Sequence, residues 1–279
     1  MTELGTEPDP DESALYVFAV CDAPDPRVFD CLPGVAEDQP LRRLRFGDLT
    51  AVVQTVRAAD FTDEVWQVRM SARDELERYA RAHHDVVSAA AASCPTVPLP
   101  MATLYRSEER ARQALIEETG RFRTALERTA GHSEWGVKVY SAELPEPTPT
   151  TAPPVPSRVS PAPEASAVRS RPAPGAGLAY LERKRGVQAQ RERRYEDSLR
   201  LAETVDAAFQ SLAAAGRRLR LHAPQAEGKG HVQVLNATYL VAERRAIELE
   251  ALTRRLRGAT GARIDISGPW VPYSFVGEV

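Results

Sequence analysis

The apolar positions of the 279-residue chain fall into runs of two periods, and the periods separate strands from helices. Leu15 to Cys21 (L-Y-V-F-A-V-C) is continuously apolar, of strand length and rich in β-forming residues, which predicts a central strand buried on both faces. Leu41 to Val56 is interrupted by the turn pair Gly47-Asp48 and predicts a β-hairpin. A helix is expected from about Val65 to Ser93, with Leu76, Tyr79, Ala80, His83, Val87 and Ala90 on one stripe. Pro95, Pro98 and Pro100 stop it and hold the chain extended. A second helix, from about Ser107 to Ala130, aligns Ala111, Leu115, Phe122 and Leu126 and ends at Gly131. Trp135 to Tyr140 alternates and reads as the closing strand of this first unit.

Further along, a helix from about Ala179 to Ala215 places Tyr195, Leu199, Ala202, Val205, Phe209 and Leu212 on one stripe before Gly216. Leu219 to His222 and Val232 to Leu240 read as strands, with Gly228, Lys229 and Gly230 in the turn between them. A helix from about Val241 to Arg257, with Ala242, Leu249, Leu252 and Leu256 in register, is closed by Gly258 and followed by a last strand, Ala262 to Ser267. This order is a ferredoxin-like plait without its first strand. Between the halves, Leu144 to Gly177 holds ten of the 22 prolines and no aromatic residue, so it cannot pack a core and reads as a partly polyproline linker. Its P-P-V-P is more simply a spacer than an SH3-type ligand. The expected fold class is α+β: two α+β domains joined by a Pro-rich linker, the C-terminal half a modified ferredoxin-like plait. The expected boundaries are a disordered tail at 1–13, the first domain at 14–143, the linker at 144–177 and the second domain at 178–279.

Composition narrows the function classes. With 43% hydrophobic and 27% charged residues and a formal net charge of −3, nothing pulls the chain as a whole toward nucleic acid or an anionic membrane. Cys21, Cys31 and Cys94 are scattered without a C-x-x-C pair, which suits buried thiols in a reducing compartment and implies a cytoplasmic location. The acidic start M-T-E-L-G-T-E-P-D-P-D-E-S is unlike a signal peptide, and no run approaches the roughly 18 apolar residues of a membrane span.

Chemistry is sparse. Neither G-x-x-x-x-G-K-[ST] nor G-x-G-x-x-G is present. His83-His84 point about 100° apart on a helix and lack a third ligand at suitable spacing, so no metal is expected. Ser71, Asp74 and His83, or Cys94 with either histidine, sit in no nucleophile elbow, and Glu108-Glu109 and Glu117-Glu118 read as a solvated helix face. The basic stretch Arg183 to Arg194 is interleaved with Glu182 and Glu192 and followed by Glu196 and Asp197, without an aromatic platform for bases. No catalytic residue or cofactor is expected. The unusual feature is the tail I-S-G-P-W-V-P-Y-S-F-V-G-E-V, which gathers three large aromatics into six residues of a chain that is 6% aromatic. Trp270, Pro272, Tyr273 and Phe275 are the candidates for partner binding, the alternative being a lid on the domain's own core.

These last segments carry a resemblance. Val234-Leu-Asn-Ala-Thr-Tyr-Leu-Val241, a charged amphipathic helix, and then Ile264-Asp-Ile-Ser-Gly-Pro-Trp-Val-Pro-Tyr-Ser-Phe275 resemble the C-terminal signature of the gas vesicle protein F/L family (GvpF and GvpL), an L-N-x-A-Y-L-V strand, a helix and T-G-P-W-P-P-Y-S-F. Ala179-Tyr-Leu-Glu-Arg-Lys resembles that family's G-x-Y-L-x-x-K, and His83-His84 with the segment after it resembles its H-H-x-x-I…P-x-R-F-G-T region. Where the family has P-L-R-F-G-T-V, this chain reads Pro98-Leu-Pro-Met-Ala-Thr-Leu104. The resemblance implies a non-enzymatic accessory or minor shell protein of the gas vesicle, the compartment that confers buoyancy. It would act in vesicle nucleation and assembly, with the hydrophobic major shell protein and other accessory proteins as partners. An RNA-binding module on a ferredoxin-like sheet and an enzyme with an unrecognised site are the alternatives.

Overall fold

The structure, a computed structural model, describes residues 12–142, 176–221 and 231–277. Two antiparallel sheets organise them. The first has the order β2-β3-β1-β4, with β5 also on β1: β1 (Ser13–Cys21), β2 (Leu41–Phe46), β3 (Leu49–Arg57), β4 (Thr96–Pro98) and β5 (Leu104–Tyr105). Every residue of β1 from Ala14 to Cys21 is buried, because helices cover both faces of the sheet. Tyr16, Phe18 and Cys21 face α2 (Arg73–Ser93) through Val86, Val87 and Ala90. Leu15, Val17 and Val20 face α3 (Glu108–Glu117) and α4 (Thr119–Thr129) through Ala111, Leu115, Phe122 and Leu126. A register shift between Val17 and Ala19 changes which face the odd positions take. Gly47, at φ 58, turns the β2-β3 hairpin.

Both helices of this unit are broken where the sequence predicts continuity. α1 (Asp63–Ser71) ends at Ala72, whose backbone is extended, and α2 starts anew at Arg73. The break folds α1 back so that Trp66 lies 5.3 Å from Tyr79 and stacks on Phe61, while Arg69 bonds both Asp60 and the Tyr79 hydroxyl. No Gly or Pro marks this break; the aromatic cluster makes it favourable. Glu118 separates α3 from α4, and Ser107, near the expected start, caps α3.

The second sheet has the order β7-β8-β6-β9. Its members are β6 (His132–Ala142), β7 (Ala215–Arg218), β8 (His231–Ala242) and β9 (Arg263–Trp270), with α5 (Ala176–Gln210) and α6 (Ala246–Thr260) packed on one face. This corrects the expected organisation. The strand expected to close the first unit is β6, and it lies in the middle of the second sheet, paired to β8 and β9. The plait therefore lacks nothing: β6-α5-β7-β8-α6-β9 is the complete βαββαβ order. The Pro-rich segment accordingly falls inside the plait, between its first strand and first helix. Residues 143–175, the expected tail as far as residue 11, and the turn at Gly228 to Gly230 lie outside the described residues.

Inside this unit Trp135, Val137 and Val139 of β6 and Leu235, Ala237, Tyr239 and Val241 of β8 meet Ala202, Val205 and Phe209 of α5 and Leu249, Leu252 and Leu256 of α6. The expected strand at Leu219 begins earlier, at Ala215, and Gly216 belongs to it, its backbone set against the Tyr239 ring. α6 is closed by Gly261, in the left-handed conformation at φ 65, rather than by Gly258. A buried carboxylate of this core, Asp206, accepts from Tyr239 Oη at 2.6 Å and from Arg218. Burial opposes its charge, but these hydrogen bonds prevail and hold it below the usual carboxylate range.

Candidate functional site

β9 ends at Trp270, and the chain then leaves the plait and crosses to the first unit. Gly268, at φ 135 and before a cis peptide bond to Pro269, lies so close to the Glu134 carbonyl and the Trp135 ring that a Cβ would meet them at 2.8 and 3.1 Å. Val271 is buried in the core of the first unit with Phe18, Val87 and Ala90, and Val276 packs against the opposite core around Phe122. Tyr273–Phe275 form one 3₁₀ turn.

Polar contacts fix the same segment to the plait. Glu134 of β6 accepts from Ser274 N at 2.8 Å, from Ser274 Oγ at 2.6 Å and from Thr238 Oγ1 of β8 at 2.6 Å. One carboxylate thus ties two strands of the plait to the tail. Arg217 donates to the Ser274 carbonyl.

On the side of the first unit, the tail meets the two histidines of α2. His84 lies 5.7 Å from the Trp270 ring and 6.3 Å from Tyr273, and His83 lies 6.5 Å from Tyr273. His83 is buried, with Nε2 3.1 Å from the Leu99 carbonyl and Nδ1 2.9 Å from Tyr16 Oη. A carbonyl only accepts, so Nε2 carries the proton and Nδ1 accepts from Tyr16. Tyr16 Oη in turn accepts from the Ala102 N–H at 3.0 Å. Ala102 stands where the family pattern has glycine, and it takes a left-handed φ of 60. Burial pushes His83 down to about 4 and the Tyr16 hydroxyl upward, so the network is neutral at pH 7. Burial, with Tyr16 nearby, also raises the Tyr273 hydroxyl.

The four candidate residues are therefore brought together but differ in role. Phe275 and Pro272 are buried, whereas Trp270 is 47% exposed and Tyr273 36%. Glu134, Tyr16 and Val271 belong to the same site and were missed; the one local hint was a carboxylate in an otherwise alternating strand. Both nitrogens of His83 are occupied within the protein, and among the described residues no group of three or more His, Cys, Asp or Glu could hold a metal ion. Ser71 donates to the Gln67 carbonyl one turn back in its own helix. An open cleft of about 910 Å³ is lined by Asp22, Arg42, Arg43, Arg45 and Asp48; Arg42 is paired to Glu108 and Asp48 to Arg123. Among the described residues no helix is long and apolar enough to cross a membrane. Of the three cysteines only Cys21 is buried, Cys94 being half-buried and Cys31 exposed, which corrects the expectation of three buried thiols.

Comparison with known proteins gives the family and the fold. The family described as gas vesicle synthesis protein GvpL/GvpF matches residues 14–277. Gas vesicle protein L of Streptomyces sp. (strain CB03234) is 34% identical over 265 residues, covering 94% of this chain and 92% of that protein. The crystal structure of the gas vesicle protein GvpF from Anabaena sp. PCC7120 has a TM-score of 0.60 at 13% identity, covering 96% of this chain and 97% of that one. That of GvpF from Microcystis aeruginosa has a TM-score of 0.58 at 14% identity, covering 95% and 99%. At such identities the two structures share the fold. Matched from β1 to the aromatic tail and by a relative of nearly equal extent, the chain belongs to the gas vesicle synthesis protein GvpL/GvpF family.

Proposed function

We propose that the protein is a gas vesicle accessory protein that acts in vesicle assembly, binding the hydrophobic major shell protein and limiting its aggregation before it joins the wall. Family membership over residues 14–277 carries this reading. Its place of action is the gas vesicle and the cytoplasm around it, its further partners are other vesicle accessory proteins, and it works without catalysis. A very apolar partner is held mainly by removing its surface from water, about 25 cal/mol per Å² before the costs of association. Trp270 and Tyr273 supply such surface on a backbone already held by Glu134, so little further ordering is needed when they bind. The test is co-expression with the major shell protein followed by affinity capture and a sedimentation assay. The wild-type chain is expected to bring the shell protein down and keep it in the supernatant; failure to do either overturns the role. A Trp270→Ala, Tyr273→Ala double variant is expected to stay folded and lose most of the capture. Undiminished capture by that variant would move the binding surface elsewhere on the protein.

A further inference from the structure

Cys21 and Cys94 take no part in the clasp, yet the fold brings them together from 73 positions apart in sequence. Antiparallel pairing of β1 with β4 sets Cys21 opposite Thr96, and Cys94 caps the C-terminal end of α2 just before β4 begins. The Thr96 hydroxyl lies 3.5 Å from Cys21 Sγ and 3.9 Å from Cys94 Sγ, so the two thiols flank one hydroxyl group.

The two sulfurs have opposite surroundings. Cys21 is fully buried, while Cys94 is half-buried. Around Cys94 gather the Cys21 thiol, the Ser93 hydroxyl at 3.8 Å and the Thr96 hydroxyl at 3.9 Å, the two hydroxyls donating at 2.9 Å to the carbonyls of Ala90 and Cys94. The neighbouring Cys21 thiol is the largest influence holding Cys94 below the usual thiol range. Cys21 is driven the other way, by Cys94 and by burial, and keeps its proton. A half-buried sulfur favoured as the anion, beside a second, protonated thiol, is the arrangement of a redox-sensing pair.

We propose that Cys94 and Cys21 are a hydroperoxide-reactive pair, Cys94 the attacking sulfur and Cys21 the resolving one. The Cys94 thiolate attacks one peroxide oxygen: the O–O bond breaks, an S–O bond forms, and the departing hydroxide takes a proton to become water. Cys21 sulfur then attacks the Cys94 sulfenic acid. The S–S bond forms, the S–O bond breaks, and the Cys21 proton leaves with the hydroxyl group as a second water. The two thiols are oxidised by two electrons and the peroxide is reduced to two molecules of water. The resulting bond ties the end of α2, which carries His83 and His84, to β1, which carries Tyr16. Both elements hold the aromatic tail.

The test uses the full chain carrying Cys31→Ser, which removes the exposed thiol, reduced and then treated with hydrogen peroxide. The expected product is about 2 Da lighter, and its non-reducing peptide map joins the peptides of Cys21 and Cys94. Adding Cys21→Ser is expected to stop the reaction at a Cys94 sulfenic acid trapped by dimedone, and adding Cys94→Ser to leave Cys21 reduced. If Cys21→Ser does not fold, iodoacetamide labelling of the Cys31→Ser chain decides in its place, with Cys94 expected to react well ahead of Cys21. Peroxide that leaves both thiols fully alkylatable, or oxidises Cys21 equally well without Cys94, overturns the proposal.

Discussion

The two sheets are covered in different ways. The first is flanked by helices on both faces, and each face of β1 meets its own core, α2 on one side and α3 with α4 on the other. The second has both helices on one face, and its other face presents polar side chains, among them Glu134, Asn236, Thr238 and Asp265. Asn236 and Thr238 are nevertheless buried, Thr238 with its hydroxyl on the carboxylate that holds Ser274. The tail joins the two regimes, inserting Val271 and Val276 into the apolar cores of the first unit while it hydrogen-bonds to the polar face of the second. A sheet with one open face needs something from elsewhere in the chain, and here that is the segment 271–277.

Four measurements would sharpen or break this contrast. The largest effect is expected from Phe275→Ala, which removes a large, 4% exposed ring from the tail and is expected to lower unfolding free energy by about 3 to 4 kcal/mol. Urea denaturation should show the plait separating from the first unit in a distinct earlier transition. An unchanged single transition would mean that the second unit does not depend on the tail.

Acid should weaken the other end of the same junction by about 3 kcal/mol. An unfolded histidine protonates near 6.5, whereas buried His83 resists until about pH 4. Stability is therefore full above about 6.5 and falls as pH drops toward 4, since the unfolded chain binds the extra proton. Denaturation midpoints at pH 7 and pH 4.5 should differ in the wild type and differ less in His83→Asn. Equal pH dependence in both would remove His83 from the account.

Glu134→Ala is expected to cost about 2 kcal/mol, because it strips hydrogen bonds from the Ser274 backbone and hydroxyl and from the buried Thr238 hydroxyl. Hydrogen exchange is expected to quicken at the amide of Ser274 while β1 stays protected. The smallest effect has the opposite sign: Ala102→Gly, relieving a left-handed alanine, is expected to stabilise the first unit by less than about 1 kcal/mol. A loss of stability would show that the alanine methyl contributes packing that outweighs the backbone cost.

Much of the fold was legible because its signals are local. β1 reads as a doubly buried strand from seven consecutive apolar residues, the hairpin from Gly47-Asp48, and the α3 start from Ser107. The break at Ala72 was not legible, since it is caused by Trp66 meeting Tyr79 and Phe61 rather than by any residue at the break. Nor was the allegiance of β6. Trp135 to Tyr140 has the alternation of a strand, and alternation says which face is apolar but not which sheet it joins.

The tail shows the same division. Its aromatic content, its family signature and the need for its rings to dock are properties of the sequence itself, because burial of large apolar side chains is set by composition. Which ring is buried and which is presented was decided only by tertiary structure. Phe275 is covered while Trp270 and Tyr273 keep part of their surface in water, through contacts of the tail with α2, β6 and β7 from 57 to about 190 residues away in the chain. Such long-range pairings have no local periodicity to announce them, since their free energy exists only once the distant surfaces have met.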